Sequence, residues 1–121
     1  MIIATAWALL ILGFAHLLYG AVRFRQPLAA ALRDGWVGQF AGMADRRLAF
    51  WFMITGPFTM LGGQVALHAA HAGDLGLLKI VGLNLLLIAA LGVLSLPKSP
   101  FWLALLLCPV FIAGGYGWLA L

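Results

Sequence analysis

The sequence is short of charge and has almost no cysteine. Of its 121 residues three are acidic, 8% are charged and one, Cys108, is a cysteine. A single cysteine excludes an internal disulfide and a cysteine metal cluster. Cys108 lies in an apolar run and reads as a small buried apolar residue. No acidic residue lies well inside any long apolar run. That argues against a proton-coupled antiporter and against a cation pocket built on buried acids. A transporter of the four-helix multidrug type, similar in length, would carry a glutamate in its first span, where this chain offers only His16. Nothing basic precedes the apolar run over residues 1–22. That run therefore lacks the charged start of a signal peptide and reads as a retained first helix.

Apolar residues are plentiful. They make up 65% of the chain, and the mean hydropathy is +1.11. A soluble domain of this size could not bury so much apolar surface, whereas a lipid-facing exterior accommodates it. The spanning criterion is about 20 apolar residues. Four segments meet it, at about 2–22, 48–68, 75–96 and 100–121. The expected fold is an all-α integral membrane protein, one domain over residues 1–121 formed as a four-transmembrane-helix bundle. Residues 69–74 form a short polar turn. In the third connection Pro97 stops one helix, Ser99 is a candidate N-cap and Pro100 suits the first position of the next. Asp45 is a candidate N-cap for the second helix.

Five of the seven cations, Arg23, Arg25, Arg33, Arg46 and Arg47, fall in one short stretch between apolar runs. Basic charge there reads as lipid headgroup anchoring, not nucleic-acid binding. With Lys98 in the third connection, six cations lie on one side of the bundle and at most Lys79 on the other. The positive-inside rule then makes the first and third connections cytoplasmic and puts both termini outside. Trp7 and Trp118 suit the outer interface, and Phe50, Trp51, Phe101 and Trp102 the inner one. Lys79 is expected to snorkel to the outer headgroups. The first connection, residues 23–47, exceeds a simple turn. Pro27 can start a short helix whose Leu28, Leu32 and Trp36 share a face, and Gly35, Gly38 and Gly42 break the chain beyond it. We expect an interfacial helix on the cytoplasmic leaflet.

Polar residues within the spans are the functional candidates. Ala6, Leu9, Gly13, His16 and Gly20 form one helical stripe, so His16 should face a neighbouring helix that the glycines admit closely. Tyr19 extends that polar patch. On the second span Thr55, Thr59, Gly62 and Ala66 share a face, with Trp51 at one end. Pro57 frees the Met53 carbonyl, and Pro109 does the same for Leu105. Asn84 lies mid-span in the third helix, where hydrogen bonding to a neighbouring helix is the usual role. His16, Tyr19, Trp51, Thr55, Thr59 and Asn84 are thus the candidate ligand-binding residues. His68, His71 and Asp74 have weak metal-ligand spacing only, and no metal is assigned. Haem between His16 and His68 is disfavoured by their different depths, and no cofactor is assigned.

Three stretches, Gly13-Phe14-Ala15-His16, Leu48-Ala49-Phe50-Trp51-Phe52 leading to Gly56, and Pro97-Lys98-Ser99-Pro100-Phe101-Trp102, together resemble the small bacterial membrane proteins grouped as domain of unknown function 6463. In that family a Gly-x-x-His pair opens the first span and an Ala-Phe-Trp triplet enters the second. The resemblance implies four helices and a bacterial inner membrane. It implies no activity, and it adds weight to His16 and Trp51.

No catalytic set is visible. The expected function is binding of a lipophilic small molecule or lipid between helices, with membrane lipids as partners. An intramembrane enzyme using His16 as acid or base is one alternative. A non-catalytic accessory subunit or homo-oligomer, built on glycine-rich faces, is the other.

Overall fold

The computed structural model describes residues 1–120, so Leu121, the last residue of the expected fourth span, lies outside the described residues. Among these the chain is all-helical, with α1 at Ile2–Arg23, α2 at Arg25–Arg33, α3 at Ala44–Ala72, α4 at Leu75–Ser95 and α5 at Phe101–Gly115. At 1.5 Å per residue α1 and α4 are about 33 and 32 Å long and α3 about 44 Å. These three are long and apolar enough to cross a membrane. α5 is a shorter apolar helix of 15 residues, about 22 Å.

Glycine sets three of the helix ends. α2, α3 and α5 are followed by Gly35, Gly73 and Gly117, at φ +100°, +70° and +77°. In each case the next N–H turns back to a carbonyl five residues earlier: Trp36 to Ala31, Asp74 to Ala69 and Trp118 to Ala113, at 2.8–2.9 Å. This is the closure that a left-handed residue permits, and glycine adopts that backbone without steric cost. It explains why α5 stops at Gly115, short of the end of the expected 100–121 span, although the sequence stays apolar. Trp36 itself sits at φ +68°, a conformation that costs a non-glycine residue about 1 kcal/mol.

α1 and α4 start where expected, at Ile2 and Leu75, and several other ends differ. α3 starts before Asp45, which therefore lies in the first turn and does not cap it. Its Oδ1 accepts the Arg46 N–H at 2.9 Å. α2 starts at Arg25, with Pro27 in its first turn, where a missing N–H leaves no bond unmade. Trp36 falls beyond the end of α2, so the expected Leu28, Leu32 and Trp36 face is broken. α5 begins at Phe101, one residue after Pro100, and Ser99 Oγ accepts the Phe101 N–H at 3.4 Å. Asp74 caps α4, its Oδ1 accepting from Leu77 N–H at 3.0 Å. Asp74→Ala should cost about 1 kcal/mol and Asp74→Asn much less, measured as a shift in thermal unfolding of the purified protein.

The chain forms two compact units. One is Ile11–Met60, and the other is Met1–Leu10 with the chain from Leu61 onward. The second unit contains the fully buried Ile2, Leu9, Leu78, Cys108 and Phe111. There α4 and α5 pack antiparallel, since Gly82 meets Ile112, Gly92 meets the Phe101 ring and Gly115 meets the Lys79 backbone. Each glycine admits a close approach that a Cβ would block. Trp102 Nε1 donates to the Pro97 carbonyl at 2.8 Å across the intervening turn. Pro109 leaves the Leu105 carbonyl without its usual partner. The Cys108 thiol donates to that carbonyl at 3.3 Å, so the buried cysteine patches the helix at its proline.

Candidate functional site

Within Ile11–Met60 the chemistry gathers on the seam between α1 and α3. The seam exists because glycines face it. A Cβ on Gly13 would lie 2.6 Å from Met60 N and 2.7 Å from Gly56 O, and one on Gly20 would overlap the Met53 and Phe52 side chains. His16 lies between those glycines on the same stripe and is half-buried. Its Nε2 is 2.8 Å from the Phe52 carbonyl oxygen. A carbonyl only accepts, so Nε2 must donate, which fixes the neutral ring as the Nε2–H tautomer and leaves Nδ1 as its acceptor. The imidazole also stacks on the Phe52 ring, with centroids 3.9 Å apart and planes 16° from parallel. Tyr19 and Phe24 tilt against the same ring at 5.9 and 5.0 Å. Tyr19 is 60% exposed. The result is a half-buried aromatic cluster with two polar rings in it, the His16 imidazole and the exposed Tyr19 phenol.

The other candidates are engaged locally. Thr55 Oγ1 donates to Trp51 O and Thr59 Oγ1 to Thr55 O, both at 2.8 Å. These bonds run to the preceding turn of the same helix, so neither hydroxyl serves the Met53 carbonyl that Pro57 frees. Trp51 is exposed and meets the Phe50 ring edge-on at 5.3 Å. Asn84 belongs to the other unit, is exposed, and donates from Nδ2 to Ile80 O at 2.9 Å. Its amide thus bonds its own helix, not a neighbouring one. His71 Nδ1 is likewise 2.8 Å from Leu67 O. The structure brings together His16 and Tyr19 around Phe52. Sequence reasoning missed Phe52 as the partner, although it is the residue that comes directly after the Ala-Phe-Trp triplet.

The arginine stretch is not uniform. Arg23, Arg25, Arg33 and Arg47 are exposed, with the Arg23 guanidinium 5.4 Å from the Phe24 ring centroid. Arg46 is only 6% exposed. Its Nη2 donates to Asp34 Oδ2 at 2.7 Å and its Nη1 to Gln39 Oε1 at 3.0 Å. This is the one ion pair among the described residues. The planar fork reaches both acceptors at once and ties the segment after α2 to the first turn of α3. Asp34 and Gln39 were not candidates from sequence; the signal was a lone acid at the end of a basic helix.

Over residues 3–117 the chain matches the family described as "Family of unknown function (DUF6463)", and it belongs to that family. No curated protein and no solved structure matches it.

Proposed function

We propose that this member of the family is a multi-pass protein of a bacterial inner membrane that binds lipid, or another lipophilic molecule, against its helices. The observation that carries this reading is the apolar surface the helices leave uncovered. α1 exposes Ile11, Phe14, Leu18 and Val22, and α4 exposes Leu87 and Leu94 among others. Each large apolar side chain kept in water forgoes about 1.5–3 kcal/mol of burial, a cost that lipid removes. In this reading α1, α3 and α4 each span the bilayer. α5 is the fourth and thinnest span, helped by Trp102 at one end and Tyr116 and Trp118 at the other. The basic 23–47 connection faces the cytoplasm with α2 as its interfacial helix, and both termini face outward.

The ligand contact we propose is the cluster of His16, Tyr19 and Phe52. It combines an apolar face with the Tyr19 phenol and the His16 imidazole, whose Nδ1 has no described partner. Thr55, Thr59 and Asn84 each donate to their own helix and none bonds to His16, which supports binding over acid–base chemistry, since catalysis normally needs two or more convergent groups. The glycines of α1 and α5 are taken up by internal packing, which leaves fewer close-approach faces for a partner subunit.

The test is native mass spectrometry of the protein extracted in mild detergent, with co-purifying molecules identified. We expect a lipophilic species retained by the wild type and reduced several-fold in His16→Ala. Unchanged retention in that variant would count against the site.

A further inference from the structure

Within Ile11–Met60 a groove of about 790 Å³ runs between one face of α2 and the first turn of α3. Its α2 wall carries Arg25, Ala29, Ala30 and Arg33, and Met43 and Arg46 stand opposite. Arg25, Ala29 and Arg33 have the i, i+4, i+8 spacing that keeps residues on one helix face. The two alanines between the arginines leave the floor low, so the volume lies between two cations. Both arginines are exposed, and neither makes an ion pair among the described residues. Asp45 also lines the groove and keeps its negative charge there, its Oδ1 accepting the Arg46 backbone N–H. Arg46 is spent on Asp34 and Gln39. Arg25 and Arg33 outnumber that one carboxylate, so the groove is net positive and the guanidiniums open to an anion are theirs.

We propose that this groove binds the phosphate headgroup of an anionic lipid, with Arg25 and Arg33 as its ligands. The proposal rests on the membrane reading above. Guanidinium matches phosphate oxygens two at a time and holds them more strongly than a neutral donor does. About 12 Å of helix separates the two Cα atoms, a span that two flexible arginine side chains close onto one headgroup. The surroundings select a lipid over free phosphate. Met43 in the wall is 53% exposed, and Leu32 and Val37 on the same stretch of chain are 67% and 87% exposed. Such apolar side chains suit the acyl region beneath a headgroup. Arg46 is a positioning residue here, since its bonds to Asp34 and Gln39 hold the segment that joins the two walls.

The experiment titrates the detergent-purified full chain with phosphatidylglycerol and with phosphatidylcholine, read by native mass spectrometry. Two charge-matched double variants are compared, Arg25→Gln with Arg33→Gln in the groove, and Arg23→Gln with Arg47→Gln outside it. The wild type should prefer phosphatidylglycerol by about tenfold, the worth of one charge-assisted contact. The groove variant should lose that preference, and the outside variant should keep it within about twofold. Equal loss in both variants would overturn the proposal in favour of a diffuse basic surface. Displacement of phosphatidylglycerol by millimolar inorganic phosphate would overturn the lipid source and assign the groove to free phosphate. If neither lipid stays bound to any form, the membrane-lipid reading itself fails. If both stay bound equally, only the groove proposal fails.

Discussion

Gly13→Leu should destabilise the protein by about 3 kcal/mol or more, near the top of the range for overpacking. The reason is geometric. A Cβ at Gly13 would lie 2.6 Å from the Met60 amide nitrogen and 2.7 Å from the Gly56 carbonyl oxygen. Those are backbone atoms of α3, which cannot rotate away as a side chain end can, so α1 and α3 must separate locally. Separation would also break the His16 bond to Phe52 O and the stack on the Phe52 ring. In an exposed helix, replacing glycine would instead gain up to about 1 kcal/mol in helix propensity, so the sign itself distinguishes a tight seam from an open face. Gly42→Ala is the control, with open space around it and no positive φ, and should change stability by no more than about 0.5 kcal/mol. Thermal unfolding of the two variants in the same detergent reads the difference. An unchanged midpoint for Gly13→Leu would mean that this seam is not where the helices meet.

Arg46→Ala is the second large effect. The guanidinium is buried and bonded to two acceptors, so its removal leaves Gln39 and the Asp34 carboxylate without partners. Breaking a fully buried ion pair costs about 3–5 kcal/mol. The Asp34 side chain is 55% exposed and can rehydrate, which discounts the ion pair, so the two lost hydrogen bonds should cost about 1–2 kcal/mol. The loss should be local. Amide hydrogen exchange over residues 35–43 should speed up by at least about tenfold, while amides of α4 and α5 stay protected. Arg46→Lys should not restore protection, because one ammonium cannot fork between Asp34 and Gln39 as a guanidinium does. Arg47→Ala removes the same charge from an exposed position and should leave exchange unchanged.

These two predictions mark where the sequence was legible and where it was not. α1 and α4 stand out because their apolar runs end where their helices end, at a basic residue in one case and near Pro97 in the other. α3 runs beyond its apolar run at both ends, since hydropathy registers Arg46, Arg47 and His71 as polar although all three are helical. α5 errs in the other direction, because composition stays apolar past Gly117 while the backbone turns there. A helix stop depends on φ, which hydropathy does not see. The inward face of His16 was legible from Gly13 and Gly20 on its stripe. Its acceptor was not, because every residue carries a carbonyl and nothing in the sequence singles out the one at Phe52. Thr55, Thr59 and Asn84 were ambiguous for a related reason. Such side chains bond as readily to the preceding turn of their own helix as to a neighbour, and here all three do the former. The arginines were legible as a group. Only the three-dimensional structure separates Arg46, a buried clamp, from Arg25 and Arg33, which line a groove.

The central claim is that the helices cross a bilayer with the basic connection on its cytoplasmic side. Cysteine labelling in intact bacterial cells tests it most directly. With Cys108 replaced by alanine, single cysteines are placed at Gly42 in the basic connection and at Ala72, the last residue of α3. A membrane-impermeant maleimide should label Ala72→Cys in cells whose outer membrane alone is permeabilised. It should label Gly42→Cys only after the inner membrane is opened as well. Labelling of both positions from the outside, or recovery of the protein in the soluble fraction, would contradict it.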